Sequence, residues 1–104
     1  MNLPNLQKEC HRIAIEKGFW DKDRNDGELL MLICSELGEC LEALRHGNPP
    51  SDHIPKYSGA EEELSDAMIR ILDMAEARGY NLEKTIIAKM EFNETRERMH
   101  GKQF

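Results

Sequence analysis

The sequence predicts an all-α domain, a four-helix antiparallel bundle completed by oligomerisation. Apolar residues recur at spacings of three and four along four segments. Helix-capping residues bracket those segments, and no stretch alternates with period two over strand length. With 104 residues the chain is expected to be one domain, 1–104.

The first helix is expected from Leu3 to Lys17, with Leu6, Cys10, Ile13 and Ala14 at helical spacing and Gly18 as the stop. A mainly polar linker, Phe19 to Asp26, includes Phe19 and Trp20. Asn25 then starts the second helix in a capping-box relation to Glu28, and that helix runs to His46 before Gly47 and Pro49-Pro50. Ser58 and Glu61 repeat the capping-box spacing and open a third helix that ends near Gly79. Asn81 caps a fourth, expected to reach about His100. Short connections between four helices point to an antiparallel bundle.

Composition narrows the function classes. Only 6% of residues are aromatic and 39% hydrophobic, so the core of one copy is lean and at least a dimer is expected. A net charge of −6 repels nucleic-acid backbones, so no duplex partner is expected, whereas a small phosphorylated ligand held through a divalent cation is compatible. Cys10, Cys34 and Cys40 form no CxxC pair, and Cys34 and Cys40 fall among helical core positions. No N-terminal basic segment precedes an apolar run, and no stretch approaches the length of a membrane span. These features predict a cytoplasmic protein with no membrane partner.

The chemistry-bearing residues are acidic. Glu36 and Glu39, three apart on the second helix, sit about 60° from each other on the helical wheel, and Glu42 follows. Leu29, Leu32, Cys40 and Ala43 lie within about 40° of Glu36, so that carboxylate enters apolar surroundings and needs a cation or hydrogen bonds there. Glu63 and Asp66 make a second pair on the third helix. Leu64, Met68, Ile71 and Ala75 cluster opposite Asp66, which equally describes a solvated acidic face unless that face looks into a site shared with another element. Four oxygen ligands without histidine suit magnesium, or manganese in its place. A di-iron centre would need a Glu-x-x-His step, and neither pair supplies one.

The fourth helix turns from apolar to basic along one face: Leu82 and Ile86, then Lys89, Asn93 and Arg96. Such a face aims cations at a phosphate chain or is a solvated helix end with favourable basic charge. Trp20 stacks on a nucleobase or anchors the core. The loop Gly47 to Tyr57 is a lid or a plain connection. His11, His46, His53 and His100 show no ligand spacing.

The segment SELGECLEALRHG, followed after a loop by EEELSDAMIRILDMAEARGYNLEKTIIAKMEFNETR, resembles the MazG-like family of all-α nucleoside triphosphate pyrophosphohydrolases. The family pattern is Glu-Glu-x-x-Glu, a spacer, Glu-x-x-Asp and then Lys-x-x-x-Asn on the next helix. Glu36, Glu39, Glu63 and Asp66 fill the four metal-ligand positions, Lys89 and Asn93 fill the last step, and the match spans about Glu28 to Arg98. The resemblance implies magnesium-dependent cleavage of a nucleoside triphosphate between its α and β phosphates, in nucleotide-pool housecleaning. It also implies catalytic work by Glu36, Glu39 and Lys89, and substrate contacts from Lys89, Asn93 and Arg96. Ser35 departs from the pattern by replacing the first glutamate, which leaves the general base to Glu39 or Glu36. Two rival expectations are a nucleotide-sensing or metal-binding module without turnover and a helical adaptor.

Overall fold

The structure is a computed structural model that describes all 104 residues. It is all-helical: α1 (Leu3–Glu16), α2 (Asp26–Arg45), α3 (Gly59–Arg78) and α4 (Leu82–Glu94), followed by a 3-10 turn at Arg98–Gly101. The one extended pairing is an isolated antiparallel bridge between Pro50 and Ser58.

Each helix starts where a short polar side chain satisfies an otherwise unpaired backbone N–H. The side chains of Asn2, Asn25 and Asn81 accept from the N–H of Asn5, Glu28 and Lys84. At α2 only this forward half forms, because Glu28 accepts from Arg24 at 3.4 Å. At α3 the capping box is complete: Ser58 Oγ accepts from the Glu61 N–H, and Glu61 Oε1 accepts from the Ser58 N–H, both at 3.1 Å. Gly79 closes α3 at φ 73°, a left-handed conformation that costs glycine little. Ser58→Ala is expected to lower unfolding stability by about 1 kcal/mol in denaturant titration.

α3 is the central helix and packs against both α1 and α2. Its buried residues are Ala60, Ala67, Leu72 and Ala75, and with Leu29 and Cys40 of α2 and Cys10 of α1 they make up the buried apolar core. Small side chains let the helices approach closely; a Cβ on Gly59 would stand 3.2 Å from the Ala43 methyl. α4 buries no residue and packs to any extent only against α1. The bundle is therefore three packed helices with a fourth leaning on the first.

Two expectations need correction. α4 ends at Glu94, not near His100. Without a packing partner the last turn tightens: the Thr95 hydroxyl donates back to the Phe92 carbonyl at 2.7 Å, and Met99 and His100 take positive φ. Arg96 therefore lies beyond the helix that was to present it. Cys34 is exposed, unlike Cys10 and Cys40, because it stands about 160° around α2 from Glu36 and away from α3.

The loop after α2 is tied down. Asn48 Oδ1 accepts from the Ala60 N–H at 2.8 Å, buried Ser51 donates to Glu62 at 2.6 Å, and His53 Nδ1 donates to the other Glu62 oxygen at 2.7 Å. Those bonds make it a fixed connection that braces the start of α3. No helix is long and apolar enough to cross a membrane.

Candidate metal centre

The packing of α2 on α3 turns the two acidic pairs toward each other. Glu36, Glu39 and Glu63 each place a carboxylate oxygen within 4.8 Å of the others. Glu36 is buried, Glu63 half-buried and Glu39 exposed, so the cluster opens to solvent on one side. Glu36 Oε1 accepts from Arg70 Nε at 3.0 Å. Its other oxygen, and one oxygen of Glu63, are buried with no hydrogen-bond partner. Buried carboxylate oxygens are ordinarily paired, and these two orphans facing one cluster are what a bound cation or a shared proton would satisfy.

The electrostatics agree. Burial, then hydrogen bonding to Glu39 and Glu36, pushes the Glu63 carboxyl up to about 8. Asp66 is raised as well, first by burial and then by the charges of Glu36, Glu62 and Glu39, with Arg70 offsetting part of the effect. Without a cation the protein holds this site together partly by keeping a proton on it. The donor set, all carboxylate oxygens with one open side, fits magnesium or manganese.

Asp66 stands outside the tight triplet but at its edge. With Glu36 it lines a cavity of about 370 Å³ between α1 and α3, whose walls add Lys17, Arg70 and Asp73 to apolar Ile13, Phe19 and Ile69. The solvated-face alternative for α3 therefore does not describe Asp66, whose face looks into this shared site.

The other expected residues are placed differently. Lys89, Asn93 and Arg96 do not line the cavity. The Lys89 ammonium and the Arg96 guanidinium sit 4.8 and 5.4 Å from the Phe92 ring, and Asn93 Oδ1 is buried without a partner. Trp20 is an anchor: its Nε1 donates to both Asp73 oxygens, at 2.9 and 3.1 Å, and its ring meets that of His11 edge-on. His11 Nδ1 donates to the same Asp73 at 2.7 Å. The aromatic at the cavity is Phe19, its neighbour. Ser35 is exposed, and its hydroxyl donates to the Leu32 carbonyl of its own helix at 2.6 Å.

The cations beside the carboxylates, Arg70 and Lys17, were not singled out from sequence. Arg70 had a signal, lying four residues after Asp66 and seven after Glu63 on the same helical face. Lys17, at the end of α1, had none. Compared with models of protein families, with curated proteins and with solved structures, the chain has no match.

Proposed function

We propose that the protein is a magnesium-dependent nucleoside triphosphate pyrophosphohydrolase, of the class its sequence resembles, releasing a nucleoside monophosphate and pyrophosphate in the cytoplasm. The observation that carries this reading is the carboxylate triplet with two partnerless buried oxygens, opening beside a cavity that also holds Arg70 and Lys17.

Glu36, Glu39, Glu63 and Asp66 are the residues that would hold the metal. A bound magnesium supplies charge neutralisation on the phosphates and a more acidic water. The chain's own residues do the rest. Arg70 fixes Glu36 through their 3.0 Å ion pair and, lining the cavity, offers a cation to an anionic ligand there. Lys17 adds a second cation for the phosphate chain. Ile13, Ile69 and Phe19 offer an apolar wall to the nucleoside. Of the two candidates for proton acceptor, Glu39 is the exposed member of the triplet, whereas Glu36 is engaged by Arg70, which favours Glu39.

The test is incubation with ribo- and deoxynucleoside triphosphates, with magnesium or with chelator, resolving pyrophosphate from orthophosphate. Monophosphate plus pyrophosphate, formed only with magnesium, is expected. Orthophosphate as the product, or turnover in chelator, contradicts the reading. One observation favours a second reading, a sensing module: Ser35 stands where the family pattern has its first glutamate, and its hydroxyl only donates to its own helix. Saturable nucleotide binding without product would identify that module.

A further inference from the structure

Every charged residue of the cavity but one has a part in the proposed chemistry; the exception is Asp73. It lies seven residues after Asp66 and three after Arg70 on one face of α3. At the helical rise per residue it stands about 10 Å along α3 from Asp66. Along this wall, therefore, Arg70 separates two carboxylates, and only the first belongs with the metal ligands. Phe19, next in sequence to the Trp20 that Asp73 holds, brings an aromatic ring to the same cavity.

Two donors hold the Asp73 carboxylate, and they load its oxygens unequally. Oδ1 accepts from His11 Nδ1 at 2.7 Å and from Trp20 Nε1 at 2.9 Å. Oδ2 accepts only from the same indole N–H, at 3.1 Å. A carboxylate oxygen accepts about two hydrogen bonds, so Oδ1 is filled and Oδ2 has an acceptor position left. Neither His11 nor Trp20 lines the cavity, whereas Asp73 does, with its side chain 14% exposed. The donors therefore grip the carboxylate from outside the cavity and leave it facing in. A group already fixed in this way loses little further freedom when a ligand reaches it.

We propose that Asp73 is a specificity-determining residue for the nucleobase, selecting the amino-bearing cytosine and adenine over their oxo counterparts, uracil and hypoxanthine. This assignment rests on the hydrolase reading of the same cavity. With the triphosphate at the metal, Arg70 and Lys17, a base lying against Phe19 projects its edge toward Asp73, a nucleotide's reach along α3. The exocyclic amino group of cytosine or adenine then donates to Oδ2. In uracil and hypoxanthine a carbonyl oxygen stands at that position, and two acceptors meet with no proton between them. The ring N–H that the oxo bases gain lies beside that carbonyl, so reaching it brings the carbonyl against the same carboxylate.

The test compares kcat/KM for matched pairs, CTP against UTP and ATP against ITP, in the wild type and in Asp73→Asn. The wild type is expected to prefer the amino member of each pair by about 10–100-fold, the range that a hydrogen bond to a charged group supplies. In Asp73→Asn the amide oxygen still accepts from His11 and Trp20, and the amide NH2 takes the place of Oδ2 and donates. The preference is expected to fall by at least about tenfold and to move toward the oxo member. Magnesium dependence should persist, because Asp73 is outside the triplet. A residue that only anchored Trp20 and His11 would lower kcat/KM for both members alike, and an unmoved ratio overturns the proposal. So does a wild type that uses both members equally, a result that needs no folded variant. Calorimetric binding of the four nucleotides to the wild type, with calcium in place of magnesium, separates this proposal from the hydrolase reading. Amino preference in binding without turnover supports Asp73 and contradicts the hydrolase; turnover without preference does the reverse. A chain that neither binds nor hydrolyses any of the four overturns both.

Discussion

Glu63→Gln is expected to remove magnesium-dependent turnover while leaving the metal-free fold intact. Loss of residues that merely orient a metal ligand costs about 10–100-fold in metal affinity or activity, so loss of a ligand should lower turnover by at least about a hundredfold. The structural cost should be absent because Glu63 is pushed up to about 8 and so carries a proton in the metal-free protein at pH 7. Glutamine is close in shape to that neutral acid. Magnesium should raise the Tm of the wild type by mass action and leave that of Glu63→Gln unmoved. Glu42→Gln, on α2 with Glu36 and Glu39 but outside the triplet, is the control and should retain both responses. A Glu63→Gln enzyme with near wild-type turnover and unchanged metal dependence would falsify the assignment.

The second large effect is a stability profile that runs against the usual direction for an acidic protein. Glu63 has its folded-state value, about 8, above the ordinary 4.5. Between those values the folded protein holds a proton that the unfolded chain has released. Its contribution is therefore fully present below about pH 4.5 and is lost as pH rises toward 8. Asp66 is raised too and acts in the same direction. His53, in the loop, is raised by Glu62 at the start of α3 and also loses its contribution as pH rises, but neither residue belongs to the carboxylate triplet. The Tm of the metal-free protein is expected to fall by several degrees from pH 5 to pH 8. Magnesium should flatten that fall, and Glu63→Gln should remove the Glu63 part of it without metal, leaving the Asp66 and His53 parts. A metal-free wild type whose Tm stays level over this range would contradict the carboxylate cluster as described.

How much of this was legible in the sequence follows from where each signal resides. Helix starts are local: Asn25, Ser58 and Asn81 cap within three residues of themselves, and all three cap in the structure. The end of α4 was not legible, because the turn after Glu94 had to be held by packing that α4 lacks. Glu36 could be picked out because its own helix surrounds it with apolar positions. Asp66 could not be decided from α3 alone, since the wall it faces comes from α1. Cys34 was misplaced for a related reason: apolar periodicity marks an apolar face whether or not another element of the chain packs on it. Trp20 shows the remaining gap. Its role as an anchor depends on Asp73, 53 residues away, and no spacing rule connects them.

The metal-ligand account can be tested most directly by titrating the metal-free protein with magnesium at pH 7, by calorimetry in two buffers of different ionisation enthalpy. Ligation requires the carboxylates to be deprotonated, and Glu63, pushed up to about 8, carries a proton at that pH. The account predicts saturable binding with net proton release, and less proton release in Glu63→Gln. Absence of binding at millimolar magnesium, or binding with the same proton release in Glu63→Gln, would contradict it.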